Sequence, residues 1–181
     1  KISHQGIIVE TKTLNYPKLD DVIDSSNIMI ALDQVTDPQN VGAIIRTFSF
    51  FGGENLLITK DHSSEINGSL AKSASGALES VNIIKVTNLS MTLKKIRKKG
   101  FTIIGLDENS DVMLHNTNDY SNEKKVLVMG SEGKGLRRLT KENCDFLVSI
   151  ANNNDSDFNT LNVSVSSALA LYELMGRDII K

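Results

Sequence analysis

The sequence predicts an α/β domain in which helices cover both faces of a parallel sheet. Short apolar runs, typical of buried strands, alternate with longer segments that have helical apolar spacing. At three strand-to-helix junctions, polar or glycine residues follow the apolar run directly. Because the carboxyl ends of parallel strands meet at one edge of a sheet, these junctions are expected to form a single binding edge.

Six apolar runs are predicted as strands, and most segments between them are predicted as helices. The strands are 28–32, 56–58, 81–86, 101–106, 125–129 and 146–150. The helices are 40–51, 65–79, 89–99, 136–143 and 162–177. Residues 107–124 are predicted as loop or short helix, and residues 151–160 as a polar loop.

The domain organisation is predicted to be one domain over residues 27–181, preceded by an arm or linker over residues 1–26. A chain of 181 residues is long enough to bury a core without disulfides or a metal. The first residues do not have the pattern of a signal peptide and do not include an initiator Met, so the chain is expected to be a fragment of a longer protein.

Composition narrows the classes of protein. The net charge of −2 is not that of a polycation, so overall charge gives no support for nucleic-acid binding. Cys144 is the sole cysteine, which excludes an intramolecular disulfide and favours a reducing, cytoplasmic setting. His4, His62 and His115 are scattered, so no zinc site is predicted. No apolar run approaches the roughly 20 residues that span a bilayer.

A glycine segment follows the strand 125–129. Gly130, Gly133 and Gly135 have a G-x-x-G-x-G spacing, which is neither the dinucleotide nor the P-loop fingerprint. One interpretation is an ordinary tight turn. The other is that the glycines let a ligand approach the backbone, with Glu132 pairing with an arginine or holding a ligand hydroxyl.

Asn40 and Arg46 lie six positions apart on one predicted helix. The simpler interpretation is that Asn40 caps the helix and Arg46 is a solvated charge. The functional interpretation is that Arg46, flanked by apolar residues, binds phosphate through bidentate hydrogen bonds.

The third segment begins at Leu161. Asn162 and Ser164 are typical capping residues, so a capped and closely packed helix is the common interpretation. The N–H groups at the start of a helix also form a site for anions or polar ligands.

Two clusters of basic residues have different expected roles. The run Lys94–Lys99 is most simply a solvated helix end. Contact with RNA or phosphate is more plausible for the basic residues beside the glycine segment, which are Lys134, Arg137, Arg138 and Lys141.

In combination and in this order, the three segments resemble the motifs of the SpoU (TrmH) family of RNA ribose 2′-O-methyltransferases, in the SPOUT superfamily. The resemblance runs from about Ile28 to Gly176. His4-Gln5-Gly6 also resembles the linker to the N-terminal RNA-binding domain of large-subunit rRNA methyltransferases, which suggests that this chain lacks such a domain.

The resemblance implies a parallel α/β fold with a C-terminal deep trefoil knot, a homodimer with the active site near the interface, and S-adenosylmethionine as methyl donor. The implied catalytic positions are Asn40, Arg46, Glu132 and Asn162. The implied donor-binding positions are Leu106, Met129, Gly130, Ile150, Leu161 and Ser166. The implied RNA-binding positions are Arg46, Lys134, Arg137 and Arg138.

The sequence departs from the family pattern after residue 150. Ala151-Asn152 stand where Pro-Met is usual, the loop to Leu161 is about two residues longer than is typical, and Thr160 replaces a usual serine. These changes put the donor contacts of this loop in question.

The implied activity is methylation of a ribose 2′-hydroxyl in structured RNA, with an rRNA guanosine favoured. A metal is not required, because the donor already carries an activated leaving group. The arginine is often cast as the base in this family, yet deprotonating an arginine at neutral pH would cost about 7 kcal/mol or more. The alternative is that it grips a phosphate and stabilises developing alkoxide. Three alternative hypotheses stay open. They are a catalytically degenerate RNA-binding protein, a tRNA 2′-O-methyltransferase, and a nucleotide-binding α/β domain that catalyses a different reaction.

Overall fold

The computed structural model describes residues 16–116, 124–152 and 160–176. Within these ranges a six-stranded parallel sheet is present, as predicted. The strands are β1 (Ile28–Asp33), β2 (Asn55–Thr59), β3 (Asn82–Val86), β4 (Thr102–Leu106), β5 (Lys125–Gly130) and β6 (Phe146–Val148). The helices are α1 (Leu19–Val22), α2 (Pro38–Phe50), α3 (Gly68–Ala74), α4 (Leu89–Arg97), α5 (Arg138–Lys141) and α6 (Val163–Leu171), and a π-helical turn, Tyr172–Gly176, extends α6.

The helices differ from the sequence prediction mainly at their ends. The helix predicted over 65–79 starts only at Gly68, because the side chain of Asn67 accepts hydrogen bonds from two backbone N–H groups and caps it there. It ends at Ser75, which adopts a left-handed conformation with φ of 51°. The predicted arm contains α1, while residues 1–15 lie outside the described residues.

The strand order is β3-β2-β1-β5-β4-β6. The chain builds outward from β1 through β2 to β3, and the remaining strands lie on the other side of β1. The change of direction therefore falls between β1 and β5, where Asp33 and Gly130 are opposite each other at the carboxyl ends. Ligands of open α/β sheets bind at such a switch point.

Side chains of each strand alternate between two apolar cores, one on each face of the sheet. Ile30 and Leu32 of β1 face the core formed with α2, α3 and α6. Met29 and Ala31 face the core formed with α1 and α4. Helices therefore cover both faces, as near-continuous apolar strands require. No helix among the described residues is long and apolar enough to cross a membrane.

Candidate active site

Three side chains from distant parts of the chain form a hydrogen-bonded cluster at the switch point, which we call the Asn–Glu–Asn cluster (Asn40, Glu132 and Asn162). Glu132 Oε1 accepts from Asn40 Nδ2 at 3.1 Å and from Asn162 Nδ2 at 2.7 Å. Asn162 Nδ2 also lies 3.0 Å from Asn40 Oδ1 and donates to it. The structure therefore joins three of the four positions that the resemblance implies as catalytic.

Local sequence around α2 leaves Asn40 available for this cluster. Asp37, not Asn40, caps the helix by accepting a hydrogen bond from the backbone N–H of Gln39 at 3.1 Å. Pro38 occupies the first turn, where its missing N–H is harmless. The interpretation of Asn40 as the cap is thus wrong, and its buried amide points to Glu132 instead.

Asn162 does cap its helix, and it also belongs to the cluster. Its Oδ1 accepts from the backbone N–H of Ser164 at 2.9 Å and of Val165 at 3.4 Å. Its Nδ2 is directed to Glu132 and Asn40. Ser166, which the resemblance implies as a donor-binding position, donates its hydroxyl hydrogen to the carbonyl of Asn162 at 3.1 Å.

The start of α6 also contacts the side chain of Glu132. The backbone N–H of Val163, in the first turn, lies 3.5 Å from Glu132 Oε1. A negative side chain at a helix N-terminus is stabilised by the aligned peptide dipoles. The cluster therefore presents two amide side chains held in fixed orientation by one carboxylate.

The glycine loop (131–136) carries Glu132 and folds back on the end of β5. The N–H of Gly135 donates to the carbonyl of Ser131 at 2.8 Å, which closes the turn. Gly133 and Gly135 have φ values of 78° and 62°. A Cβ on Gly130 would lie 2.1 Å from the carbonyl carbon of Gly135. The geometry of the turn therefore requires all three glycines, as the interpretation of a tight turn predicts.

Asp33 is a buried carboxylate that the sequence analysis missed. Its Oδ1 accepts from Arg137 Nε at 2.6 Å, and its Oδ2 accepts from the backbone N–H of Arg137 at 3.0 Å. The available signal was a charged residue placed directly after the apolar run of β1. Arg137, implied as an RNA contact, is therefore bonded to the protein itself.

Arg46 lies apart from the cluster. It is exposed on α2 and lines an open groove of about 610 Å³ with Phe50, Ala77 and Ala168 among its neighbours. Six residues of helix separate it from Asn40, which is about 9 Å along the axis. Among the described residues its guanidinium has no hydrogen-bond or ion-pair partner. Within one chain the hydrogen bonds of Glu132 and Asn162 go to each other, to Asn40 and to the start of α6.

Most of the positions that the resemblance implies for donor binding lie at the carboxyl ends of β5, β4 and β6, which are adjacent strands. Gly130 ends β5, Leu106 ends β4, and Ile150 follows β6, and these three are partly buried. Met129 is fully buried in the core, which leaves only its backbone for a ligand. Leu161 is half exposed on the far side of the loop. Most of that loop, residues 153–159, lies outside the described residues.

Asp107 follows β4 at this edge and was also not predicted. Lys141 Nζ lies 2.5 Å from its Oδ2, and the N–H of Asn109 donates to its Oδ1 at 3.2 Å. Burial acts to raise the pKa of Asp107, but the hydrogen bonds to Lys141 and Asn109 outweigh it, and the pKa is lowered. The carboxylate form is therefore favoured.

The remaining basic positions are on the surface. Arg138 pairs with Glu142 one helical turn later, and Lys134 is exposed at the tip of the glycine loop. Surface pairs of this kind contribute little to stability, so Arg138 is free to exchange its partner. Among the described residues, no group of three or more His, Cys, Asp or Glu side chains is arranged to hold a metal ion.

The sheet order and the Asn–Glu–Asn cluster define the class of protein, which is a parallel α/β domain with a polar candidate active site at its switch point. The model of the SpoU rRNA Methylase family matches residues 27–172. The chain therefore belongs to the SpoU rRNA methylase family, which confirms the resemblance.

Curated relatives match along most of the chain. It is 36% identical over 178 residues to the 23S rRNA (guanosine-2′-O-)-methyltransferase RlmB of Pseudomonas aeruginosa, covering 95% of this chain and 70% of that protein. It is 40% identical over 174 residues to the enzyme of the same name from Ralstonia nicotianae, covering 94% of this chain and 68% of that protein.

Solved structures confirm the fold. The SpoU methyltransferase AviRb from Streptomyces viridochromogenes, in complex with AdoMet, matches with a TM-score of 0.80 at 22% identity, over 93% of this chain and 67% of that one. The AdoMet-bound rRNA methyltransferase from Sinorhizobium meliloti matches with a TM-score of 0.78 at 25% identity, over 90% of this chain and 61% of that one. The parallel α/β architecture is therefore that of SpoU methyltransferases.

Proposed function

We propose that this protein transfers a methyl group from S-adenosylmethionine to a ribose 2′-hydroxyl in structured RNA, with an rRNA guanosine as the target. The observation that carries the proposal is the Asn–Glu–Asn cluster, which three distant segments build at the switch point. Relatives named as 23S rRNA guanosine-2′-O-methyltransferases, at 36% and 40% identity, support the choice of RNA and base.

The residues at the ends of β4, β5 and β6 fit the methyl donor. Leu106 and Ile150 offer partly buried apolar side chains that pack against the core. Gly130 and the neighbouring backbone offer N–H and C=O groups, and Asp107 offers carboxylate oxygens. Apolar walls with a few polar groups suit an adenosine attached to an apolar chain. Leu161 would complete this set from the other side of the loop.

S-adenosylmethionine supplies a methyl group on a sulfonium centre, which is an activated leaving group. The cluster then has to hold the ribose so that its 2′-oxygen is in line with the carbon–sulfur bond. In the reaction the oxygen–methyl bond forms as that bond breaks, and the hydroxyl proton passes to a phosphate oxygen or water. No step calls for a metal.

Arg46 is proposed to bind an RNA phosphate rather than to act as the base that removes the hydroxyl proton. Its guanidinium is exposed in the groove on α2 and retains its five N–H donors. A planar fork of this kind binds phosphate in a bidentate manner and stabilises negative charge that develops nearby. Lys134 and Arg138 extend the positive surface beside the glycine loop.

A homodimer is proposed to complete the site, because α6 exposes apolar side chains that a second copy could cover. Buried residues on one side of α6 reach the core, while Val165, Leu169 and Tyr172 are exposed on the other side at helical spacing. We call these three residues the α6 apolar face. Phe50 of α2 is 81% exposed, and Ala168 joins α6 to the Arg46 groove. A helix that is apolar all round is normally covered on both sides.

A second copy seated on the α6 apolar face would lie next to Arg46 and could supply contacts that Arg46 lacks within one chain. Leu169→Glu is therefore expected to convert the dimer to a monomer in analytical ultracentrifugation and to abolish methylation. Met91→Glu, at an exposed apolar position of α4, is the matched control. A wild-type protein that is monomeric at micromolar concentration would contradict the dimer.

The C-terminal trefoil knot and a cytoplasmic location also remain proposals. Residues 153–159, which lie between the β6 region and α6 in the sequence, are outside the described residues. Support for the knot is the likeness of the fold to SpoU structures, with a TM-score of 0.80.

The proposed activity is tested with labelled methyl donor and purified RNA. We expect transfer to a 23S rRNA fragment, with mass spectrometry placing the methyl group on a ribose. Methyl transfer to tRNA but not to the rRNA fragment would identify the protein as a tRNA 2′-O-methyltransferase. Calorimetry that shows no donor uptake, while RNA still binds, would identify a catalytically degenerate RNA-binding protein instead.

A further inference from the structure

The pair formed by Asp33 and Arg137 spans 104 residues of sequence. The Asp33 side chain is fully buried, with 0% of its surface exposed, and it accepts hydrogen bonds from both the backbone and the side chain of Arg137. A buried carboxylate is costly unless it is paired and hydrogen-bonded. The contact is therefore a fixed part of the folded protein and not an incidental surface pair.

The position of the pair relates it to the glycine loop. In the sheet, Asp33 is opposite Gly130, where the loop leaves β5. Arg137 directly follows the loop, and its carbonyl accepts the first hydrogen bonds of α5 from Thr140 and Lys141. Both ends of the loop are thus brought to the end of β1.

The glycine loop has a second anchor near its exit and carries a residue of the candidate site near its start. Leu136 is buried in the core beside α4, with 3% of its surface exposed. Glu132, at the other end of the loop, is the acceptor of the Asn–Glu–Asn cluster. A displacement of the loop exit would therefore move Gly130, at the proposed donor edge, and Glu132 together.

We infer that Asp33 and Arg137 are positioning residues, which hold the glycine loop in the shape that binds the methyl donor and presents Glu132. Arg137 acts through the loop and is not chiefly a contact to RNA. The inference rests on the proposed function for the identity of the ligand. The geometry of the loop itself does not depend on that function.

The test measures donor affinity and loop exchange in the whole chain. Arg137→Met is expected to raise the Kd for S-adenosylmethionine about tenfold, in line with the loss of a hydrogen bond to a charged group, and to speed hydrogen exchange of amides 130–136. Arg137→Lys keeps one charged hydrogen bond and is expected to recover most of both losses. Arg97→Met also breaks an arginine–aspartate pair, with Asp145, but one in which both side chains are partly exposed and which lies outside the glycine loop, and it is expected to change neither.

A different pattern would overturn the inference. If Arg137→Met left the donor Kd unchanged but raised the KM for RNA and flattened its salt dependence, Arg137 would be an RNA contact. If the wild-type chain took up no donor, the proposed function would fail. The exchange experiment would then still decide the role of the pair, because unchanged exchange of amides 130–136 would contradict it.

Discussion

Asn162 serves two structures with one side chain: its Oδ1 caps α6 at the N–H of Ser164, and its Nδ2 donates to Glu132 Oε1 at 2.7 Å. The helix start and the candidate active site therefore share an anchor. A substitution that keeps the capping oxygen of Asn162 but removes its N–H donor therefore separates the effect on the helix from the effect on the cluster.

Asn162→Ser keeps an oxygen for capping and loses the N–H donor. We expect the free energy of unfolding, measured in urea, to change by less than about 0.5 kcal/mol, while Asn162→Ala loses about 1 kcal/mol with the cap. Methyl transfer should fall strongly in both variants. Normal turnover by Asn162→Ser would show that the link to Glu132 is not needed for activity.

Glu132→Ala removes the acceptor that orients both asparagine amides. We expect kcat to fall about 100-fold, since a misplacement of roughly 1 Å has that effect on aligned reactants. Glu132→Gln keeps one acceptor oxygen and should lose less. Steady-state methylation kinetics measure both, and an Ala variant with intact turnover would remove Glu132 from the site.

Arg46→Lys keeps the charge and removes the planar fork. If the guanidinium grips phosphate by two hydrogen bonds, kcat/KM should fall by about 10²-fold or more. Arg97→Lys, remote from the site, is the control. Near-normal methylation by Arg46→Lys would exclude the bidentate role. The variant is expected to fold like the wild-type protein, because Arg46 is exposed.

Gly130→Ala tests the packing of the glycine loop. The added Cβ would lie 2.1 Å from the carbonyl carbon of Gly135, so backbone has to move. Overpacking of this kind costs about 1–3 kcal/mol of stability. Gly68→Ala is the matched control, because a Cβ there meets nothing within 4 Å. Equal unfolding midpoints for the two variants would contradict the observed loop geometry.

Cys144 gives a prediction about pH. Burial, with a smaller contribution from the Asp145 carboxylate, raises the pKa of the Cys144 thiol from 9.0 to about 12. The folded protein therefore keeps this proton where the unfolded chain has lost it. The contribution to stability is complete below about pH 9 and disappears as pH rises from 9 toward 12.

Two measurements check this. Alkylation of Cys144 at pH 8.5 should be much slower in the native protein than in denaturant, since the thiolate is the reactive form. Unfolding curves should show a loss of stability above pH 9 that is smaller in Cys144→Ala. Equal alkylation rates for the native and unfolded chain would disprove the raised pKa.

Much of the fold could be predicted from local pattern. The predicted strand 28–32 is observed as β1 with one more residue. The helix predicted over 89–99 is observed as α4, and Gly100, with a positive φ, follows its last turn. Such features depend on neighbours in sequence. The interpretation of Asn40 as the cap of α2 is wrong, although Pro38 beside Asp37 is a visible signal for the true start.

The candidate site was predictable only in its parts. Asn40, Glu132 and Asn162 were each identified at a strand-to-helix junction, and the resemblance grouped them. Their mutual bonding could not be deduced locally, because 92 residues separate Asn40 from Glu132 and 30 separate Glu132 from Asn162. Asp33 was missed because a single acid after a strand has no distinctive spacing.

The sequence by itself determined the strands, the helix faces and the chemical groups at each junction, because backbone preference and apolar periodicity act over a few residues. The tertiary structure alone decided the strand order. That order brings β1 beside β5, unites the Asn–Glu–Asn cluster, and turns Arg137 toward Asp33. It also leaves Arg46 outside the cluster, since a helix carries residues six apart to different heights and faces.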